Sequence, residues 1–253
     1  MELKGQIAVV TGGGSGLGAA TAQEFAARGA DVFVVDVNGA AAGEIAEKVG
    51  GTAVCCDLGS TEQIERAVQA VREKGPIRVL ANIAGIGGGA RLIAKDGSAM
   101  PLGEFRRQID INLVGTFDIT RIVAAEMARQ APCAEGERGV ILFTASVAAY
   151  EGQSGQAGYA AAKGGLVSLT LPLARDLAQY GIRVASIAPG LFSTPMMERL
   201  PQKVQDSLAA SIPFPSRLGR PDEFARLALH IVENVHINGE VIRLDGAARL
   251  AAR

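Results

Sequence analysis

Cysteine and histidine are scarce in this 253-residue chain, with three of the first and two of the second. Cys55 and Cys56 are adjacent and Cys133 is distant, which matches neither a zinc-ligand pattern nor a disulfide framework. Reduced thiols are expected, two in a strand and one in a loop. His230 and His236 have no partner at ligand or triad spacing and are read as structural, so no metal site is expected. A surplus of either charge is also missing. Lys and Arg number 25 against 26 Asp and Glu, for a net charge of −1. That removes the bulk electrostatic case for nucleic acid or membrane binding. No apolar run is long enough to span a bilayer. A strand is expected almost at once, from Gln6 to Val10, leaving no room for a signal peptide. A cytoplasmic location is the expectation. Neither an internal repeat nor a low-complexity linker is found, so a single domain over residues 1–253 is expected.

What the chain has in quantity is glycine, 32 residues, and apolar side chains, 48%. Both suit an α/β protein with many tight strand-to-helix turns. Apolar runs at 7–11, 31–35, 51–56, 77–81, 140–144, 182–187 and 240–244 read as strands. Helices are expected from the first glycine cluster to about Arg28, from Ser60 to about Lys74, and from about Glu104 to Gln130. A further helix runs from Tyr159 to about Tyr180, where Pro172 predicts a kink or an open backbone bond. The last runs from Asp222 to Glu233, with Pro221 at its start.

The first strand leads into Thr11-Gly12-Gly13-Gly14-Ser15-Gly16-Leu17-Gly18 and then a helix. Glycines let backbone amides approach a pyrophosphate, and a helix N-terminus favours its charge. The strict G-x-G-x-x-G spacing is replaced by Gly12-x-x-x-Gly16-x-Gly18. Asp36 ends the second strand, where a carboxylate can accept bonds from both adenosine ribose hydroxyls. It would repel a 2′-phosphate, and no basic residue stands beside it, so NAD is favoured over NADP. Taken alone, Asp36 also fits a turn before Asn38-Gly39. Asp57 and Leu58 close the third strand, where they can meet adenine; Asp57 fits a helix cap as well. Asn82-Ile83-Ala84-Gly85 permits close approach of a ligand at the fourth. The glycine-rich stretch from Gly85 to Glu104, with Lys95-Asp96-Gly97-Ser98, reads as an exposed loop. Asn112 is a polar amide inside Ile109-Asp110-Ile111-Asn112-Leu113, either functional or self-satisfied. Six of the ten prolines fall between Pro189 and Pro221, which predicts a shaped, partly ordered lid at about 190–220.

The chemistry centres on Ser146, Tyr159 and Lys163. Tyr and Lys four apart share one helix face. An ammonium close to a phenol stabilises the phenolate and lowers its pKa from about 10. A shift of about three units, roughly 4 kcal/mol, would let the tyrosine exchange protons near neutral pH. Ser146 can donate to an oxygen held beside it.

Thr-Gly-x-x-x-Gly-x-Gly, Asn-x-Ala-Gly, Ser, Tyr-x-x-x-Lys and Pro-Gly occur in the order and spacing of the short-chain dehydrogenase/reductase family, which the whole chain resembles. Within it, the second half is similar to the type II 3-hydroxyacyl-CoA dehydrogenases. That similarity lies in Thr144–Ala149, Gly190–Pro195, Pro213–Gly219 and Asn238–Ala247. The resemblance implies a Rossmann fold, a doubly wound parallel sheet with helices on both faces. It implies that Tyr159 is the acid/base and that Lys163 holds the nicotinamide ribose and lowers the tyrosine pKa. Ser146 would orient the substrate oxygen, and Asn112 would support a water that relays protons to Lys163. Gly12, Ser15, Gly16, Leu17 and Gly18 would contact the cofactor, with Asn82, Ile83 and Ala84 further along. Asp57 and Leu58 would bracket adenine. Pro189, Gly190, Phe192 and Thr194 would lie at the nicotinamide, Phe192 and Thr194 on its carboxamide side. Gln153 and Gln156 would line the substrate cavity. The implied activity is NAD-dependent interconversion of a secondary alcohol and a ketone, with an acyl-CoA as the small-molecule substrate. The implied assembly is a homotetramer. Two alternatives stand beside this: a hydroxysteroid or other hydrophobic alcohol as substrate, suited by Leu191, Phe192, Met196 and Met197, and a non-catalytic NAD-binding subunit.

Overall fold

The apolar runs become the strands of one parallel sheet whose central strands are buried on both faces and whose two edge strands are partly exposed. The computed structural model describes residues 1–252. Within them β1 (Ile7–Thr11), β2 (Asp31–Asp36), β3 (Thr52–Cys55), β4 (Ile77–Asn82), β5 (Gly139–Thr144), β6 (Ile182–Pro189) and β7 (Val241–Leu244) pair in the order 3-2-1-4-5-6-7. Every pairing is parallel. The order reverses between β1 and β4. A crevice opens at the carboxyl ends of the strands at such a reversal, and the glycine turn after β1 lies there.

Side chains alternate across the sheet with the strand period of two. Ala8, Val10, Leu142 and Ile187 face one layer, built on Phe25, Ile45 and Phe224 of α1 (Gly16–Ala27), α2 (Gly39–Val49) and α9 (Pro221–Glu233). Val9, Ile141 and Phe143 face the other. There they meet α3 (Thr61–Arg72), α5 (Thr116–Arg129) and α6 (Ala157–Ala178). The doubly wound α/β sheet is therefore as expected.

Two local features differ from the sequence reading, and two more refine it. The segment after Asn38-Gly39 is not merely a turn. Asn38 Oδ1 accepts from Ala41 N and caps α2, which ends at a left-handed Gly50. The helix expected from Glu104 to Gln130 divides into α4 (Leu102–Ile109) and α5, with a π turn over Asp110–Gly115 between them. Gly115 in that turn packs so tightly that an added Cβ would lie 2.1 Å from the Leu58 carbonyl oxygen. Of the two outcomes expected at Pro172 the open backbone bond is the one found, in a helix α6 that runs through it. Pro172 and Ser168, whose carbonyl loses its partner, are both exposed, so water can take the missing amide's place. His230 lies on the exposed side of α9, and its Nε2 is 3.3 Å from Asn234 Nδ2.

The proline-rich segment carries two helices, α7 (Pro195–Glu198) and α8 (Gln202–Ala210). It leaves and returns at one place, where Ser193 N donates to Gly219 O and Gly219 N to Leu191 O. No residue of α8 is buried, so this segment rests lightly on the body. The Met196 side chain lies outside the described part. All three cysteines are free, Cys55 exposed, Cys56 buried and Cys133 between. No helix is long and apolar enough to cross a membrane.

Candidate active site

β5 ends at Thr144, and Ser146 follows as the N-cap of a short turn, Val147–Ala149. Its Oγ accepts from Ala148 N at 3.1 Å. The hydroxyl proton is thereby left free to donate outward. Tyr159 lies in the first turn of α6, with Lys163 one turn on. Lys163 is 3% exposed. Its Nζ donates to the Thr144 carbonyl at 2.6 Å and sits 5.8 Å from the Tyr159 ring centroid. Among the described residues no carboxylate pairs with it, and burial alone lowers its pKa to about 8. The expected fall in the Tyr159 pKa is not found in the ligand-free protein. Burial raises it, and Ser146 beside it acts in the opposite direction. The physical reason is that burial takes water away from the phenolate and disfavours its charge.

Asn112 sits in the π turn, a position such turns often occupy at functional sites. It is not self-satisfied. Its Oδ1 accepts from Ile86 N at 2.8 Å, and its Nδ2 donates to Ile86 O at 3.1 Å and to Gln108 Oε1 at 2.9 Å. Gln108 Nε2 in turn donates to Gly87 O at 3.1 Å. Asn112 and Lys163 converge on Gly85, where an added Cβ would lie 3.0 Å from Asn112 Oδ1 and 3.5 Å from Lys163 Nζ.

The glycine turn wraps the end of β1. Gly12 has φ +66°, and a Cβ there would lie 2.7 Å from Ala84 Cα; one on Gly18 would lie 2.0 Å from Gly12 O. Thr11 Oγ1 accepts from Ile83 N at 3.0 Å and Ala84 N at 3.1 Å, joining this turn to the one after β4. Ser15 precedes α1 with its hydroxyl making no cap bond. No side chain caps the start of α1, and Thr194 lies over Gly16, 3.5 Å from a Cβ placed there. Asp36 Oδ2 accepts from Gly14 N at 3.0 Å and Oδ1 from Asn38 N at 2.9 Å. No ion pair involves Asp36 among the described residues.

This crevice has the glycine cradle, the open helix end and the strand-end carboxylate that a dinucleotide needs. The short chain dehydrogenase family model matches residues 6–205. The chain belongs to the short chain dehydrogenase family. It is 48% identical to the 3-hydroxyacyl-CoA dehydrogenase type-2 of Homo sapiens over 253 residues, covering 98% of this chain and 97% of that one. The crystal structure of 3-hydroxyacyl-CoA dehydrogenase type-2 from Mycobacterium avium superposes with a TM-score of 0.94 at 42% identity, over 98% of each chain. A 7α-hydroxysteroid dehydrogenase complexed with NADH and 7-oxo glycochenodeoxycholic acid superposes with a TM-score of 0.88 at 30% identity. It covers 100% of this chain and 97% of that one. The protein is thus a short chain dehydrogenase acting on CH–OH groups, of the 3-hydroxyacyl-CoA dehydrogenase type-2 kind. Dehydrogenases of this family take a nicotinamide dinucleotide.

Several residues expected to touch the cofactor present something other than their side chain. Leu58 is 7% exposed and packs into the core beneath β1 and β2. Phe192 is also 7% exposed, with its ring edge-on to Phe224 at 6.4 Å and against Gly219. Burial of these apolar side chains is favourable, so little of either is presented to the crevice. Ile83 N is bonded to Thr11 Oγ1. Asp57 Oδ1 accepts from Gly59 N at 2.8 Å, while Ser60 caps α3. Pro189 ends β6, and Gly190 N donates to Leu244 O, with Asp245 packed where a Cβ would be. Gln153 Nε2 donates to Ala251 O at 3.0 Å, and Gln156 Oε1 accepts from Gln153 N at 3.0 Å. Both line a cavity of about 330 Å³ with Arg91, Leu92 and Ala160. Three residues escaped the sequence reading: Thr11, Gln108 and Thr144. Only Gln108 left a sequence signal, its spacing of four from Asn112.

The buried Lys163 amine makes a testable demand on stability. Between pH about 8 and its unfolded value of 10.5 the unfolded chain binds the extra proton. Folding is therefore favoured as pH rises through that window and penalised below it. Lys163→Met removes the penalty, on the order of 3 kcal/mol less one hydrogen bond. The variant's apoprotein should melt several degrees above the parent at pH 7, the gap closing toward pH 10, as scanning calorimetry at both pH values would check.

Proposed function

We propose that the chain interconverts a 3-hydroxyacyl-CoA and a 3-ketoacyl-CoA with NAD. The observation that carries this is the full-length identity of 48% to 3-hydroxyacyl-CoA dehydrogenase type-2, together with Ser146, Tyr159 and Lys163 at one crevice. Bound NAD supplies the hydride acceptor. Ser146 donates to the substrate oxygen and orients it. Tyr159 removes the hydroxyl proton in oxidation and returns it in reduction. Lys163, once protonated and turned from Thr144 O toward the ribose, stabilises the phenolate. Asn112, held by Ile86 and Gln108, keeps Gly85 close enough to leave room for this exchange and supports the water that relays protons to Lys163. Gly12, Gly16 and Gly18 admit the pyrophosphate, with Ser15 and Leu17 beside it. Asp36 receives the adenosine ribose, and Asp57 meets adenine. Asn82, Ile83 and Ala84 border the nicotinamide ribose; Pro189, Gly190, Phe192 and Thr194 border the nicotinamide. Gln153 and Gln156 face the substrate, and residues 190–220 close over it. The whole chain works as one domain, and its free thiols suit the reducing cytoplasm.

A steroid alcohol is the second reading, favoured by the 7α-hydroxysteroid dehydrogenase that superposes on the chain. The non-catalytic alternative fails on the family membership and the intact Ser146, Tyr159 and Lys163. Homotetramer assembly is supported by the groove between α5 and α6. It is a cavity of about 460 Å³ bordered by Phe117, Ala125, Leu173, Leu177 and Tyr180. Phe117 and Tyr180 are exposed there, and an apolar groove of this kind fits a second copy's helices.

Acetoacetyl-CoA and a 3-ketosteroid should be assayed side by side with NADH. The thioester should turn over faster, and steroid turnover alone would reverse the reading. Tyr159→Phe should lower kcat by about a thousandfold while NADH fluorescence titration gives an unchanged Kd. Asp36→Ala should lower the ratio of NAD to NADP kcat/KM by about a hundredfold, the equivalent of roughly 3 kcal/mol of repulsion. Light scattering on the parent should give the mass of four chains, and Ala125→Arg should reduce it; a parent that runs as a monomer rejects the assembly.

A further inference from the structure

Four charged side chains close a ring beside the catalytic groups. Arg243 places Nη1 2.8 Å from Glu151 Oε1 and Nε 2.8 Å from Asp245 Oδ2. Arg249 places Nε 3.3 Å from Glu151 Oε1 and Nη1 3.2 Å from Asp245 Oδ2. Guanidinium and carboxylate alternate, so the ring is neutral. An isolated surface pair is worth little, but in a network each ordered side chain serves two partners.

The ring joins two stretches of chain, the loop after Ser146 and the run from β7 into the C-terminal tail. Glu151 opens the loop 151–156, which runs between Ser146 and Tyr159 and carries Gln153 and Gln156. Arg243 belongs to β7. Asp245 lies against Gly190, where a Cβ would be 2.8 Å from Asp245 Cβ. Arg249 belongs to the C-terminal tail. Main-chain bonds follow the ring. Leu250 N donates to Glu151 Oε2 at 3.0 Å, Ser154 N to Ala252 O at 3.1 Å, and Phe214 N to Gly246 O at 3.4 Å. The ring therefore stands where the substrate loop, both ends of the 190–220 segment and the tail meet.

Besides the ring, loop 151–156 is held by polar bonds to Val147 O, Ala251 O and Ala252 O and by the close pass of Gly155 against Gly89. None of its residues is buried, so no apolar anchor holds it. The tail residues Ala251 and Ala252 are exposed too and contribute main-chain bonds without packing. A segment with few buried contacts opens at low cost unless polar bonds hold it. The loop lines the cavity of about 330 Å³ together with Ala90, Arg91 and Leu92, so a shift of the loop alters that cavity.

We propose that the Glu151–Arg243–Asp245–Arg249 ring holds loop 151–156 against the 190–220 segment and thereby sets the acyl length the cleft accepts. Glu151 and Arg249 are positioning residues that act through Gln153 and Gln156. The chain-length role rests on the acyl-CoA reading above.

Arg249→Ala is the lead variant, since that side chain is 61% exposed and its loss leaves the core intact. Two measurements are needed: amide hydrogen exchange on the free protein, and NADH-dependent kinetics with acetoacetyl-CoA and 3-oxodecanoyl-CoA. Exchange across 151–156 should become about tenfold faster. The ratio of the two KM values should move about fivefold, while kcat for acetoacetyl-CoA and the NADH Kd stay within about twofold. Glu151→Gln should reproduce both effects, and the double variant should add little to either single one, as members of one network do. Unchanged exchange would overturn the ring's hold on the loop. Faster exchange with an unchanged KM ratio would overturn its role in specificity. A parent enzyme that reduces neither thioester defeats the acyl-CoA reading and the chain-length role with it, and exchange then still decides whether the ring holds the loop.

Discussion

The bond from the Lys163 amine to the Thr144 carbonyl ties α6 to the end of β5. The geometry of the site hangs on it. A buried amine without a counter-charge is costly, and here a single carbonyl offsets part of that cost. The same carbonyl fixes Lys163 below Tyr159 and so sets the distance between the Tyr159 helix and the Ser146 turn. Gly85 is required by this arrangement, because Lys163 and Asn112 already occupy the space a side chain would take.

The remainder of the crevice is built by bonds from side chains to the main chain of loops far apart in sequence. Thr11 Oγ1 joins the turn after β1 to the turn after β4 across 72 and 73 residues. Asn112 reaches back 26 residues to Ile86 with both ends of its amide. These bonds leave the ligand-facing edge of each turn free while holding its inner edge. A glycine-rich wall can then be open to a dinucleotide without being loose.

The two titratable catalytic groups are shifted in opposite directions. Burial lifts Tyr159 and lowers Lys163 to about 8, so at neutral pH the first is a phenol and the second still an ammonium. An ammonium lowers a phenol's pKa only as far as desolvation of the phenolate does not outweigh it.

Much was legible in the residues themselves. The apolar runs specified the central strands, because a strand buried on both faces has no polar alternative. The glycine cluster after Thr11, Asp36 at the end of β2, and Tyr159 and Lys163 one turn apart all follow from local spacing. Tertiary contacts decided the rest. The π turn at Asn112 exists because Gly115 must pass the Leu58 carbonyl, and nothing in 110–115 signals that neighbour. Phe192 and Leu58 turn inward because a core lies beneath them, which periodicity cannot reveal in a loop. The direction of the Tyr159 shift was misjudged from the sequence for the same reason. Spacing tells which groups are neighbours along a helix, but burial depends on everything folded over them, and desolvation outweighs a neighbour's charge once water is gone.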